Sequence, residues 1–376
     1  MIYLDNGATS YPKPRNVLET ASLAMKKFSF NSGRGGYKQS VHAAEKIYNV
    51  RCKIGDMFGF EPQNIAFTKN CTEALNIAIK GSVKKGDHVI LSSLEHNAVW
   101  RVISKLAEDG IIDYDIAEFC SDEDKCASNF EKLIKPKTSL IVCMSASNVF
   151  GVVFPIRKIG AAAAAHGIRF IVDGAQSAGL LDLKSKRDHF DILCAPGHKC
   201  LFGPMGTGFL CVREGLYLNT FEEGGTGSNS LESSQPDFMP DRFEAGTLNN
   251  SGIISLGAGI DYINRTGIRK IYLHEMRLAR FLFDGLKQNQ NAVLYAPRPE
   301  DDKNVPLISF NYKDYSSEKT AAGLAERDIA VRAGFHCSPL AHRFFGTIER
   351  GTVRLCPSVF TSRRDCEVFL NTLKKL

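Results

Sequence analysis

The sequence predicts an α/β protein, in which an open, mostly parallel mixed sheet flanked by helices is joined to a smaller α+β region. Two observations carry this. Between about residues 60 and 215, short β-branched runs alternate with helical stretches at the spacing of β–α–β units. Beyond about residue 260 the alternation stops, and a long helical run gives way to short strands and a final helix. The composition allows such a fold: 376 residues, 44% hydrophobic and 23% charged, can bury a large core without metal or disulfide support.

In chain order, the spacing predicts strands at 64–68, 87–91, 111–117, 139–144, 169–172, 191–194 and 206–212. Helices are predicted between them at 72–80, 97–109 and 156–166, the last containing an alanine run and ending at Gly167, where a C-cap glycine is expected. The Gly/Ser-rich stretch 224–234 reads as a loop. One helical run is expected over 256–288, then a strand near 306–312 and a last helix near 364–375. The expected division is a large domain at 15–255, with 1–14 and 256–376 forming the small one.

Charge and cysteine usage exclude several classes. The net charge of +6 is spread along the chain with no dense basic block, which argues against nucleic-acid binding. Eleven cysteines contain no CxxC pair, so neither a disulfide framework nor a structural zinc site is expected. Most sit in apolar runs such as Leu140-Ile-Val-Cys143-Met, as small hydrophobes. Free thiols suit a reducing compartment. The N-terminus does not read as a signal peptide and no apolar run is long enough to span a bilayer, so a cytoplasmic protein without membrane contact is expected.

In open α/β sheets, ligands collect beyond the carboxyl ends of the strands. Five polar clusters follow predicted strand ends: Asn70-Cys71-Thr72-Glu73, Glu95-His96-Asn97, Asn148, Asp173-Gly-Ala-Gln176 and Gly197-His198-Lys199. Singly, each reads as a cap, a turn or a solvated pair; five on one rim describe a site. The chemistry that suits them is a pyridinium electron sink. Lys199 would form an imine, which needs a partly deprotonated amine. Asp173 would keep a ring nitrogen protonated. Thr72, at a helix N-terminus, would help hold a phosphate. His96 could stack on the ring, with Asn148 and Gln176 bonding its phenolic oxygen.

At these residues the chain resembles the class V aminotransferase family of fold-type I pyridoxal-phosphate enzymes, and within it the compact, short-loop group of cysteine desulfurases and selenocysteine lyases. The resemblance runs from Tyr3-Leu4-Asp5-Asn6 to Val353-Arg354-Leu355, and its most specific part is Asp173-Gly-Ala-Gln176 followed by Gly197-His198-Lys199. It implies pyridoxal 5'-phosphate as cofactor, Lys199 as the Schiff-base lysine, Asp173 on the pyridine nitrogen, and Gln176 and Asn148 on the phenolic oxygen. It also implies His96 against the ring, and Thr72 and His198 on the phosphate. Thr247, in Arg242-Phe-Glu-Ala-Gly-Thr247, would reach the phosphate of a second subunit, so a homodimer is expected. Two positions depart from the family. Pro196 stands where a phosphate-binding serine is common, and Cys71 where a hydroxyl residue is common in the cofactor cradle.

Arg332-Ala-Gly-Phe-His336-Cys337-Ser-Pro339 resembles the desulfurase signature. Gly334 and Pro339 bracket Cys337, which places it on a loop, and cationic neighbours favour the thiolate form of a cysteine. The resemblance implies conversion of L-cysteine to alanine, with a persulfide on Cys337, and L-selenocysteine as a further substrate. Arg354 would clamp the substrate carboxylate with Arg332 and Asn148 nearby, because a guanidinium suits that planar two-point contact. His96 could pass a proton to or from the substrate thiol. A sulfur-acceptor protein is a possible partner. Two other readings stay open on the residues alone. One is a class V aminotransferase or carbon–sulfur lyase that does not use Cys337. The other is a non-catalytic nucleotide-binding or regulatory protein, although Gly203, Gly206 and Gly208 do not make a GxGxxG at a strand-to-helix turn.

Overall fold

The computed structural model describes residues 1–33 and 35–376. Its centre is a seven-stranded sheet built from Ile65–Thr68, Asp87–Ser92, Ile112–Ala117, Thr138–Met144, Arg169–Asp173, Ile192–Pro196 and Gly208–Val212. The spatial order is 65–68, 208–212, 192–196, 169–173, 138–144, 87–92, 112–117. Every neighbouring pair is parallel except the two made by Gly208–Val212, which runs antiparallel between its partners. The mixed, mostly parallel sheet predicted by the alternation is therefore present, with strand ends shifted by two residues or fewer.

Successive side chains of a strand point to opposite faces, and here both faces are buried. Ile90, Ile141, Cys143, Phe170 and Val172 enter one apolar core, while Val89, Leu91, Leu140, Val142 and Ile171 enter a second. That is why these strands read as continuous apolar runs. Helices Cys71–Ser82 and Asn97–Glu108 pack in the second core; Ile156–Ala165 and Lys38–Phe58 pack in the first.

The expected single helix at 256–288 is two. Asn250–Thr266 ends at Gly267, whose φ of 90° lies outside helical space, and Ile268–Lys287 starts anew. Helix Asn250–Thr266 packs on Arg15–Lys27 and Lys38–Phe58, so the expected division at 255/256 falls within it. The following helix links two cores: Ile271, Tyr272 and Met276 join that of the large sheet, and Leu278, Leu282 and Leu286 join a separate one. Around this separate core lie a three-stranded antiparallel sheet, Val353–Leu355, Ile308–Tyr312 and Ala292–Leu294 in that order, and helix Arg363–Leu373. The N-terminal strand Ile2–Tyr3 pairs in parallel with Ile329–Ala330 beside it. No helix among the described residues is long and apolar enough to cross a membrane.

Candidate active site

Five of the seven strands carry the predicted clusters, and all five point the same way, so the clusters emerge together at one rim of the sheet. The antiparallel strand starts at this rim with Gly208, where a Cβ would lie 2.6 Å from the carbonyl carbon of Asn70. Only glycine allows that approach. A cavity of about 680 Å³ lies at the opposite rim, around Asp87, Arg169 and Asp191, and contains none of the predicted site residues.

At the centre, Asp173 ends its strand and is 3% exposed. Its Oδ1 accepts from the Ala175 N–H at 2.8 Å and the Cys71 thiol at 3.5 Å. Burial pushes the Asp173 carboxyl above the usual range, opposed by the Ala175 N–H and the Lys199 ammonium. Burial pushes the Lys199 ammonium down, opposed by Asp173, with Arg354 adding to the lowering. The amine is thereby moved toward the neutral form that imine chemistry requires. Cys71 is a donor to Asp173, and burial pushes its thiol well up, so it sits there as a neutral S–H.

His96 caps helix Asn97–Glu108 by accepting the Ala98 N–H on Nδ1 at 3.0 Å. An accepting Nδ1 puts the proton of the neutral ring on Nε2. Burial, then Lys199, Arg332 and Arg354, lower its pKa to about 4, so the ring is neutral near pH 7. His198 is likewise lowered to about 4 by burial and by Lys199 and Lys13. Its Nδ1 is buried with no partner among the described residues. Gln176, 5% exposed, donates from Nε2 to the Gly7 carbonyl at 3.0 Å.

Thr72 is exposed at the second position of helix Cys71–Ser82. The side chain of Asn70 accepts the Glu73 N–H at 2.9 Å. The Cys71 and Thr72 amides, by contrast, have no acceptor among the described residues. Two free amides and a hydroxyl at a helix N-terminus form an anion cradle. Pro196 is a buried strand residue with no N–H to add to it. Thr247 is not in this cluster; it is exposed in a separate groove of about 240 Å³, near Tyr48 and Thr226.

On the substrate side, Cys337 alone among the eleven cysteines is exposed. Its carbonyl accepts the Asn97 N–H, next to His96, at 2.7 Å. Asn148 holds the same loop from its other side: Nδ2 donates to the His336 carbonyl at 2.8 Å, and Oδ1 accepts the Ser338 hydroxyl at 2.6 Å. His336 and Cys337 both take left-handed φ values, 50° and 58°, which non-glycine residues hold only where their surroundings impose them. Arg354, 1% exposed, donates from Nη1 to the Asn148 carbonyl at 2.9 Å and pairs through Nη2 with Asp5 Oδ1 at 2.7 Å; its Nε is buried without a partner among the described residues. Arg332 pairs with Arg354 through backbone, and its guanidinium has no partner among the described residues.

The N-terminal segment was not anticipated as part of the site. Besides Asp5 and Gly7, Ser10 and Lys13 donate to the His198 carbonyl, Lys13 Nζ at 2.7 Å. No periodicity marks this segment, and its partners lie 169 to 349 residues away in sequence.

This donor set fits pyridoxal phosphate. It offers a buried carboxylate, a lysine shifted toward neutrality, a neutral imidazole, an anion cradle of free amides, and a buried histidine nitrogen without a partner among the described residues. The family description "Aminotransferase class-V" matches residues 2–369. A protein named "Probable cysteine desulfurase" from Pyrococcus abyssi is 33% identical, covering 100% of this chain and 94% of its own length. One of the same name from Methanothermobacter thermautotrophicus is 31% identical with the same coverage. The apo structure of the cysteine desulfurase from Thermococcus onnurineus superposes with a TM-score of 0.89 at 31% identity, over 100% of this chain and 94% of that one. Class V aminotransferases depend on pyridoxal phosphate. The chain belongs to the class V aminotransferase family.

Proposed function

We propose that this enzyme is a cysteine desulfurase, which converts L-cysteine to L-alanine and receives the sulfur on Cys337 as a persulfide. The observation that carries the reading is the seat of Cys337: the one exposed thiol, on a strained loop pinned by the Asn97 N–H, next to His96, and by the Asn148 side chain. The relatives named cysteine desulfurase over the full chain support it.

Pyridoxal phosphate, when bound, supplies an aldehyde that forms imines and a protonated ring that withdraws electrons from the substrate α-carbon. Asp173 would hold the proton of the ring nitrogen. The free amides of Cys71 and Thr72, the Thr72 hydroxyl and His198 would bind the phosphate. Lys199 Nζ, moved toward its neutral form by burial, would accept the α-proton near neutral pH. Arg354, with Arg332 beside it, binds the substrate carboxylate. His96 Nε2–H would donate a hydrogen bond to the substrate sulfur. The carbon–sulfur bond of cysteine breaks as an S–S bond forms at Cys337 Sγ. Cysteine plus a thiol thus becomes alanine plus a persulfide. L-selenocysteine, with the same carboxylate and amine, fits the same contacts.

A second copy completes the enzyme in this reading. Leu18, Met25, Val41 and Tyr48 on helices Arg15–Lys27 and Lys38–Phe58 are 48–66% exposed, a patch that suits an interface. Thr247 would cross it to the partner's phosphate cradle. The persulfide is then passed to an acceptor, either a protein or a small thiol, in the cytoplasm.

The test is incubation with L-cysteine, quantifying alanine and mapping protein-bound persulfide in wild type and Cys337→Ser. Alanine with a persulfide on Cys337, both lost in the variant, is expected. Pyruvate and free sulfide without persulfide, unaffected by the substitution, would replace this reading with that of a carbon–sulfur lyase.

A further inference from the structure

We propose that Asp5 is a positioning residue for the substrate carboxylate: it anchors Arg354 through Nη2 so that the guanidinium edge carrying the unpartnered Nε–H is kept for an α-amino acid. The proposal rests on the desulfurase reading only in taking cysteine as that amino acid.

Arg354 needs an anchor. A guanidinium that is 1% exposed has lost nearly all its water, and a buried charge without a counter-ion is strongly unfavourable. Among the described residues Asp5 is its one ion-pair partner, at 2.7 Å. The geometry around that pair leaves little freedom. Nη1 is fixed on the Asn148 carbonyl at 2.9 Å. The Gly7 backbone lies close against the group, since a Cβ there would stand 3.1 Å from Cζ, 3.2 Å from Nη2 and 3.3 Å from Nε. Nη1 and Nη2 are thus engaged while Nε has no acceptor among the described residues, and a buried donor left open calls for a ligand or water. Arg354 is near the chemistry: its Nη1 is bonded to Asn148, whose side chain holds the Cys337 loop, and its charge lowers the pKa of both His96 and Lys199.

Asp5 is itself held in place. Residue 5 bridges in parallel to Cys356, and Asn6 Nδ2 donates to the Cys356 carbonyl at 2.9 Å. From there the segment crosses to Gln176 at Gly7 and to the carbonyl of His198, next to Lys199, at Ser10 and Lys13. One strap of the N-terminus therefore touches the arginine, the glutamine and the lysine loop of the site.

Asp5→Asn keeps the size and one acceptor while removing the charge, and Asp5→Glu restores the charge on a longer arm. In the holoenzyme, Asp5→Asn is expected to raise KM for L-cysteine about tenfold, the size of one charge-assisted hydrogen bond, with the loss on KM and not on kcat. Asp5→Glu should recover part of it. Calorimetric binding of propionate, a carboxylate with neither amine nor thiol, should weaken by the same factor, while binding of cysteamine, which has no carboxylate, should not change. Unchanged KM and propionate affinity, or equal weakening of propionate and cysteamine, would overturn the proposal; the second result would mean general loosening of the site. If no variant or wild type releases sulfur from cysteine, the desulfurase reading fails, yet the propionate and cysteamine comparison still decides the role of Asp5.

Discussion

Asn148 separates two ways in which an amide can serve this site. The sequence predicts it on the phenolic oxygen of the cofactor, whereas in the structure both ends of the amide hold the Cys337 loop, at 2.8 Å to the His336 carbonyl and 2.6 Å from the Ser338 hydroxyl. Asn148→Ala removes both bonds and leaves two groups without partners in a region where His336 is 3% and Ser338 0% exposed. At about 1–1.5 kcal/mol for each bond, the loop loses roughly 2–3 kcal/mol of restraint. That restraint opposes the relaxation of two left-handed residues, each storing about 1–3 kcal/mol. The bond from Arg354 goes to the Asn148 backbone carbonyl and survives the substitution. If the restraint is spent on holding Cys337 at the substrate sulfur, single-turnover persulfide formation should fall roughly 30- to 160-fold. The absorption band of the bound cofactor should stay in place, because the loss lies in the loop. Alanine release and persulfide labelling, followed with the cofactor spectrum, check this. Persulfide formation within threefold of wild type, together with a shifted cofactor band, would refute the loop role and restore the predicted one.

Two further outcomes follow from buried ionisable groups. Lys199→Ala should abolish the borohydride-trapped adduct at position 199 and lower kcat by on the order of 10³. Because burial disfavours the Lys199 ammonium, the cofactor-free variant should be no less stable than cofactor-free wild type in urea denaturation. Glu95, 0% exposed, accepts from Ser92 Oγ and the Met144 N–H on Oε1 while Oε2 has no partner among the described residues; burial pushes its carboxyl from 4.5 up to about 8. A raised folded value means the native state holds an extra proton, so this contribution is present below pH 4.5 and is lost as pH rises toward 8. Glu95→Gln cannot lose that proton, and its stability relative to wild type should grow by about 2–3 kcal/mol between pH 6 and pH 9. A gap independent of pH in that range would show that Glu95 is already ionised in the native protein.

What the sequence made legible is what depends on neighbours in the chain. A parallel strand buried on both faces is an apolar run, as in Leu140-Ile-Val-Cys143, and the chemistry of such a sheet starts where the run stops. Asp173 and Lys199 were recognisable for that reason. Helices Arg15–Lys27 and Lys38–Phe58 were not predicted, and their surfaces explain it. Val17 and Ala24 face inward while Leu18 and Met25 are 58% and 66% exposed, so two apolar faces blur the single stripe that marks a helix. The second face is the one assigned here to a partner subunit; what obscured the element is thus the feature that gives it a use. The same non-locality governs the substrate side. Gly267 was the only local sign that the run at 256–288 divides in two. No local sign joins Asp5 to Arg354, because each reads alone as an ordinary charged residue, and their pairing exists only when the first strand lies beside Ile329–Ala330 and residue 5 meets Cys356. In the proposed reading, the covalent chemistry is therefore written in short segments, whereas the orientation of the substrate depends on a contact between the two ends of the sequence.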